Sequence, residues 1–400
     1  MDTVYRCVLT DVERGIWQDS YCLDGTSLKL GVEARWSVCK TTLHGGLRDG
    51  IDLIEVDNGV LSFAVIPTRG MGLWKGRYHE IPVGWKSPVK GPVHPSFVDL
   101  NDRGGLGWLK GFDEWIVRCG LDSNGAPGED VVIDNNGNEI RTQLALHGKI
   151  ANLPAHYVEV HISLAPPHRI AVIGVVEEAM MFGPALRMTT CISTEIGSNT
   201  LTISDQVANL KSTPSELELL YHCNYGEPFL EEGARLVVPI REMGPRDPRA
   251  LEDVDAYDLY GPPESGYVEQ CYFFELIGEE GTGQTCVLLK NAAGNLAVSH
   301  TFSVKELPCF TLWKNTAAVE DGYVTGLEPA TDYPNTRYFE REQNRLLSIP
   351  PGGQYTAELT VGVHDTQEAV EEQEQRIRRL QGSQPPKIHG ELIPTFSPVV

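Results

Sequence analysis

Short runs in which hydrophobic and polar residues alternate dominate the chain between residues 25 and 363. Residues 54–57 and 60–66 flank Asn58-Gly59, a dipeptide that favours a tight hairpin. Similar runs recur at 157–164, 170–176, 201–207, 216–221, 285–289 and 357–363. A period of two predicts strands that bury one face, so we expect a large antiparallel β-sandwich and not alternating βαβ units.

One helix is predicted near the end of the chain. Asp365 followed by Glu368 three residues later forms a capping box. Val370 and Ile377 then fall on one face, and Gly382 ends the helix. We therefore predict a single β-domain over residues 1–364, N-terminal strands included, with a helix and an extended tail at 365–400 packed on it.

Charge and cysteine usage narrow the possible partners. The chain has 55 acidic and 33 basic residues, for a net charge of -22. Such a surface repels phosphate groups, so we expect no binding to nucleic acids or membranes.

No stretch approaches the roughly 20 apolar residues of a membrane span, and the charged N-terminal segment does not look like a secretory signal. The nine scattered cysteines lack a Cys-x-x-Cys pair, which predicts reduced thiols in a cytoplasmic protein.

Familiar mechanistic motifs are missing from the sequence. It has no Walker loop, no Gly-x-Gly-x-x-Gly after a strand, no Gly-x-Ser-x-Gly elbow and no His-Glu-x-x-His. Their absence removes most nucleotide, serine-hydrolase and zinc-protease chemistry. The candidate chemistry is therefore confined to five local strings.

Two of these strings combine glycine-rich turns with charged or aromatic residues. PTRGMG places Arg69 at a strand end, where its side chain can point into a cleft, although most arginines in turns are simply exposed. RGGLGWLKGFDEWIVRCGL, at 103–121, mixes aromatic faces and charged groups as sugar sites do, although a purely structural loop fits equally well. Its notable residues are Trp108, Asp113, Glu114, Trp115 and Arg118.

The other three strings each contain one candidate acid or base. LHGKIANLP contains His147, and LYHCNYGEPFL contains His222 just before the turn at Asn224. The string at 309–335 contains Lys314 and, in GLEP, Glu328. Each residue alone also has an ordinary structural interpretation, as a satisfied core histidine or a turn cap.

Together and in order, the five strings resemble the galactose mutarotase-like superfamily, also called aldose 1-epimerase-like. More closely, they are similar to its DUF4432 branch, whose members carry RGGLGWL-x-GFDE, LHG-x-IAN-P, LYH-x-N-G-P and WK…GLEP strings. The match runs from about residue 60 to residue 328. The resemblance implies a mainly β protein, an antiparallel β-supersandwich with a sugar cleft on one concave face, here with one C-terminal helix.

The resemblance also implies site residues. In mutarotases two histidines and a glutamate share the cleft, and His147, His222 and Glu328 match them here as expected catalytic residues. The expected substrate-binding residues are Arg69, Trp108, Asp113, Glu114, Arg118, Asn224 and Lys314. A sugar-binding aspartate on a middle strand has no matching string, although three aspartates at 253–258 lie in the right region.

The implied reaction interconverts the anomers, or epimers, of a monosaccharide. Glu328 would take the C1 hydroxyl proton as a base while His222 protonates the ring oxygen as an acid. His147 would donate a hydrogen bond or share the acid role. This reaction needs no cofactor and no metal, and its only implied partner is a small-molecule sugar; the oligomeric state is not predicted.

Two alternatives stay open. One is a metal-dependent sugar isomerase or epimerase on the same fold, with His147, His222 and Glu328 as ligands and Glu114 or Asp113 added. The other is a carbohydrate-binding protein without catalysis, because one fold hosts many functions.

Overall fold

Strands account for most of the regular structure, as the alternating pattern predicts. The computed structural model describes residues 3–398, and 44% of the chain is strand against 12% helix. The outer ends of the predicted domain and tail, at positions 1 and 400, lie outside the described residues. In chain order the strands are β1 (Val4–Asp11), β2 (Ile16–Trp17), β3 (Tyr21–Asp24), β4 (Ser37–Thr42), β5 (Asp52–Asp57), β6 (Leu61–Ile66), β7 (Gly72–Tyr78), β8 (Ile81–Val83), β9 (Ile116–Leu121), β10 (Gly128–Ile133), β11 (Glu139–Leu144), β12 (Tyr157–Ser163), β13 (Arg169–Ala179), β14 (Ala185–Glu195), β15 (Thr200–Asn209), β16 (Ser215–Tyr225), β17 (Arg235–Val237), β18 (Ile240–Pro245), β19 (Gln270–Leu276), β20 (Gln284–Lys290), β21 (Ala297–Ser303), β22 (Cys309–Asn315), β23 (Val324–Ala330), β24 (Leu347–Ile349), β25 (Gln354–His364) and β26 (Lys387–Ile388).

Two large sheets organise these strands. Sheet I is a 10-stranded sheet in the order β17-β20-β21-β25-β15-β14-β13-β12-β1-β2. Sheet II is a 14-stranded sheet whose main path is β26-β18-β19-β22-β23-β16-β9-β7-β6-β5-β4-β3, with β24 on β16 and β8 on β7. The Asn58-Gly59 hairpin forms between β5 and β6, which pair antiparallel as predicted.

The two sheets face each other across the main hydrophobic core. On β16, Leu219 and Tyr221 belong to that core together with Val172 of sheet I. Because successive side chains of a strand point to opposite faces, Leu220 lies on the other face, in a smaller cluster with Trp108. Sheet II is therefore covered on both faces, and the outer one, away from the main core, carries the candidate site.

The late helix forms where the sequence predicts it, one residue from the predicted cap. Thr366, not Asp365, caps it, because the Thr366 hydroxyl accepts a backbone N–H of the first turn at 3.2 Å. Val370 and Ile377 are buried against sheet I. Three shorter helices lie in connections too short for a periodic pattern to predict. The helices are α1 (Asp102–Gly105), α2 (Pro248–Leu251), α3 (Arg337–Glu342) and α4 (Gln367–Gln381).

The C-terminal tail is packed on sheet II. β26 pairs in parallel with β18, and Phe396 is buried beside Phe273 and Tyr333. The division of the chain into a domain at 1–364 and an appended helix and tail at 365–400 stays a prediction.

The cysteines are not all reduced. Cys22 on β3 and Cys39 on β4 lie across from each other and form a disulfide, which corrects the expectation of free thiols throughout. Their spacing in sequence did not reveal that they are cross-strand neighbours.

No helix among the described residues is long and apolar enough to cross a membrane. The cytoplasmic location stays a prediction.

Candidate functional site

A pocket of about 300 Å³ opens on the outer face of sheet II, a volume at the lower end of the range for small-molecule sites. His147, His222 and Glu328 line it together. A larger depression of about 660 Å³ lies over β5, β6 and β7 but contains none of the three. The remaining polar and aromatic residues of the pocket are Arg246, Glu269, Cys271, Thr311, Trp108, Phe112 and Trp313.

The strand register brings His222 and Glu328 together. The antiparallel ladder between β16 and β23 pairs Cys223 with Leu327, so one step along it His222 lies across from Glu328. A Cβ atom at Gly326 would lie 2.5 Å from Glu328 Oε1 and 3.1 Å from His222 Cε1. The glycine of the GLEP string therefore leaves room for both side chains.

Asn224 orients the His222 ring through a hydrogen bond to its Nδ1. The Asn224 Nδ2 donates to the backbone oxygens of Glu114 (3.0 Å) and His222 (3.2 Å), so its Oδ1 accepts from His222 Nδ1 at 2.7 Å. With its proton on Nδ1, neutral His222 presents a bare Nε2, which lies 3.3 Å from Glu328 Oε1. Asn224 does not line the pocket, which corrects the expectation that it binds substrate; it positions His222 instead.

Glu328 and His222 are both driven toward their neutral forms. Burial, and then the carboxylate of Glu269, raise the pKa of Glu328 well above its usual value. Burial, and then the neighbouring His147, lower the pKa of His222 well below its usual value. A proton on Glu328 would face the bare Nε2 of His222 and leave both groups uncharged.

His147 is held in a strained turn with a defined tautomer. Its φ is 58°, and its Nδ1 lies 2.7 Å from the backbone oxygen of Asn124. A carbonyl oxygen only accepts, so the proton lies on Nδ1 and Nε2 is bare. Burial lowers the His147 pKa to about 4, which keeps the ring neutral. Gly148 follows with φ 67°, where a Cβ would lie 1.9 Å from the Ser123 oxygen, so the Leu-His-Gly string needs its glycine.

Three aromatic side chains surround the two histidines. The Trp108 ring centroid lies 4.6 Å from that of His147, and the Phe112 centroid lies 5.1 Å from that of His222. Trp313 approaches His222 from another side at 5.4 Å. Trp108, which is expected from the sequence to bind substrate, lines the pocket together with Phe112 and Trp313.

Arg69 and Glu114 lie beneath the pocket and do not line it. They form a fully buried ion pair with Nε 2.6 Å from Oε1. Arg69 also donates to the oxygens of Val93 and Gly111 at 3.0 Å and to Asn152 Oδ1 at 2.9 Å. This corrects the expectation that these two residues bind substrate. The ion pair connects the segments that contain Val93, Gly111 and Asn152 instead.

Arg118 points to the opposite face of the sheet. On β9 its neighbours Val117 and Cys119 face the outer cluster, so Arg118 faces the main core. There its Nε and Nη1 donate to Asp205 Oδ2 at 3.0 Å and to the Met71 oxygen at 2.7 Å. It stabilises the contact between the sheets, which corrects its expected role in binding.

Lys314 and Asp113 also lie away from the pocket. Lys314 follows Trp313 on β22 and therefore points to the other face, where its Nζ donates to the Leu259 oxygen at 2.8 Å. Asp113 Oδ2 accepts from Trp74 Nε1 at 2.8 Å, and burial raises the Asp113 pKa to about 8. Neither residue can contact a ligand in this pocket.

Two charged lining residues were not predicted from the sequence. Glu269 accepts from Trp313 Nε1 at 2.7 Å and from Arg246 Nη2 at 3.0 Å. Arg246 directly follows β18 and Glu269 directly precedes β19, so the pairing of these strands brings the two together. None of the aspartates at 253–258 lines the pocket. A carboxylate at a strand start beside an arginine at the end of the preceding strand is the signal that identifies such a pair.

The chain belongs to the DUF4432 family, described as a domain of unknown function, whose model matches residues 48–363. It is 33% identical to a protein from Klebsiella pneumoniae whose crystal structure is that of a putative aldose 1-epimerase, with a TM-score of 0.91 over 98% of this chain and 99% of that one. A galactose mutarotase-like protein from Clostridium acetobutylicum shares 14% identity and a TM-score of 0.56 over 87% of this chain and 99% of that one. No curated protein matches the chain. The fold is galactose mutarotase-like, as the resemblance implied.

Proposed function

We propose that the pocket binds a monosaccharide and interconverts its anomers by acid–base catalysis. The observation that carries this proposal is the contact between His222 Nε2 and Glu328 Oε1, 3.3 Å apart in a buried pocket. The pocket volume of about 300 Å³ suits one sugar ring. The name of the Klebsiella protein supports the same reaction.

Anomer exchange needs one base and one acid at the same time. The C1 hydroxyl loses a proton, the bond between C1 and the ring oxygen breaks, and the ring oxygen gains a proton. A Glu328 carboxylate facing a His222 imidazolium contains as many protons as the neutral pair. In ring opening Glu328 takes the C1 hydroxyl proton while His222 protonates the ring oxygen, which returns the pair to its neutral form. Rotation about C1–C2 and closure with the roles reversed give the other anomer.

We assign His147 the role of a hydrogen-bond acceptor, in place of the donor or acid role that the resemblance implies. Its Nδ1–H is used by the Asn124 oxygen, and burial lowers its pKa to about 4, so it is a poor proton donor. The bare Nε2 is suited to accept a hydrogen bond from a sugar hydroxyl. Glu269 as an acceptor and Arg246 as a donor are placed to bind further hydroxyls, and the Trp108 ring offers an apolar face to the C–H surface of a sugar.

The same site also constrains the metal-dependent alternative. Among residues 3–398, no group of three or more His, Cys, Asp or Glu side chains is arranged to hold a metal ion. Glu114, an additional ligand in that alternative, is engaged by Arg69. Nothing in the structure favours it or the purely binding function over acid–base catalysis.

The test is anomer exchange across a panel of aldoses, followed by polarimetry or NMR with and without chelator. We expect acceleration that is insensitive to chelator. Activity that chelator abolishes and a divalent metal restores would support the isomerase instead. Sugar binding without exchange for any aldose would support a binding protein, and either result would contradict the proposal.

A further inference from the structure

A pair of acidic residues lies further along the pairing that joins His222 and Glu328: Glu218 is on β16, and Asp332 lies two residues past the end of β23. The backbone N–H of Leu219 donates to Thr331 Oγ1 at 2.9 Å, and the Thr331 N–H donates to the Leu219 oxygen at 2.9 Å. This register places Glu218 across from Asp332. Both carboxyl groups are completely buried, and no step of the proposed reaction uses them.

The two carboxyl groups hold Asn124 from two sides. The Asn124 backbone N–H donates to Glu218 Oε2 at 3.1 Å, and its Nδ2 donates to Asp332 Oδ1 at 2.9 Å. The backbone oxygen of the same residue accepts from His147 Nδ1 at 2.7 Å. Asn124 therefore links the buried acids to a histidine of the pocket.

Burial drives both acids toward their neutral forms. Glu218 Oε1 and Asp332 Oδ2 are buried oxygens that receive no hydrogen bond from the described residues. Arg337 approaches with its Nε 3.9 Å from Glu218 Oε2, but its other nitrogens donate to Asp130 and Glu216. Burial raises the pKa of Glu218 well above its usual value, and burial raises that of Asp332 to about 7. One proton shared between the two carboxyl groups removes their repulsion.

We propose that Glu218 and Asp332 are positioning residues for His147. The two acids share one proton and hold Asn124, and the Asn124 carbonyl in turn keeps the His147 proton on Nδ1. The bare Nε2 of His147 then stays available to a sugar hydroxyl. This inference rests on the proposed function for its effect on turnover, but the tautomer of His147 can be observed without any sugar.

Truncation of Asp332 should free the Asn124 carbonyl to move. Without the Asp332 acceptor the Asn124 side chain loses one anchor, so its backbone oxygen can shift and the His147 proton can move to Nε2. His147 would then donate where it should accept. A shift of this kind near the reacting groups costs up to about 10²-fold in rate.

The experiment is NMR of protein labelled with ¹⁵N-histidine, with the His147 signals assigned from His147→Gln. We expect Nδ1–H and a bare Nε2 in the wild type and a mixture of tautomers in Asp332→Ala. Glu218→Gln should keep the single tautomer, because the glutamine N–H donates to Asp332 in place of the proton that the two carboxyl groups shared. In parallel, kcat should fall 10- to 100-fold in Asp332→Ala with a smaller change in KM, and Glu218→Gln should stay close to the wild-type rate.

Three results would overturn the proposal. One is a wild-type His147 that carries its proton on Nε2. Another is a folded Asp332→Ala whose His147 signals and kcat are unchanged. The third is loss of the single tautomer in Glu218→Gln, which remains decisive even if Asp332→Ala does not fold. If no aldose is turned over but Asp332→Ala still changes the tautomer, the proposed function fails while the positioning role stands.

Discussion

His222 and Glu328 are cross-strand neighbours whose side chains approach to 3.3 Å although 105 residues separate them in the sequence. β16 and β23 lie side by side in sheet II, and their register leaves Nε2 3.3 Å from Oε1. Burial opposes charge on both residues. In the proposed reaction this pair would accept one proton and release another within a single site.

Glu328→Gln should abolish anomer exchange and leave sugar binding nearly intact. Glutamine keeps the shape and an acceptor oxygen but cannot take a proton, and loss of a general base costs roughly 10²–10⁴ in rate. His222→Ala should cost a similar factor, and the double variant less than the product, because both residues serve one proton transfer. Polarimetry measures exchange and calorimetry measures binding. Glu275→Gln, on the exposed side of β19, is the matched control and should be unchanged; full activity of Glu328→Gln would rule out the base role.

Glu269→Gln and Arg246→Met should shift the pH profile in opposite directions. The Glu269 carboxylate adds to burial in raising the pKa of Glu328, whereas Arg246 lowers it. Removing the Glu269 charge lets Glu328 ionise at lower pH, so the shared proton is lost earlier and the alkaline limb of kcat/KM moves to lower pH. Removing Arg246 should move that limb to higher pH. The measurement is kcat/KM against pH, which reports the free enzyme; shifts in the same direction would contradict this assignment.

Asn224→Ala should reduce kcat more than it changes KM. Without the Oδ1 acceptor at 2.7 Å, the His222 ring loses the contact that defines its tautomer and orientation. A misplaced catalytic group costs up to about 10²-fold in rate. Asn209→Ala is the matched control, since Asn209 is equally buried but bonds to Thr213 and Ile349 far from the pocket. Equal kcat losses in both variants would indicate general destabilisation.

Arg69→Ala should destabilise the protein strongly, because it leaves the Glu114 carboxylate buried without its partner. Breaking a buried ion pair from one side costs about 3–5 kcal/mol. Arg77→Ala removes the exposed pair with Glu80 and should cost at most about 1 kcal/mol. Urea unfolding measures both. A normal free energy of unfolding for Arg69→Ala with a raised KM would restore the binding role expected from the sequence.

The sequence by itself predicted the strands and the late helix, and the order of its five strings, through a family resemblance, named the three residues that line one pocket. Alternation with a period of two is a local property, and it predicted the hairpin at Asn58-Gly59. The strands, the hairpin and the helix depend only on residues close together in the chain.

Only the tertiary structure decided which face each neighbouring residue presents. Arg118 and Lys314 were expected in the pocket, yet each lies one position from a residue of the outer face and so points away from it. The alternating pattern predicts that the side chains of neighbouring residues point to opposite faces of the sheet, but it does not predict which of them faces the site. Both faces of sheet II are covered, and both accept apolar residues. Arg246 and Glu269 were missed for a related reason: 22 residues lie between them in the chain, and only the pairing of β18 with β19 brings their side chains together.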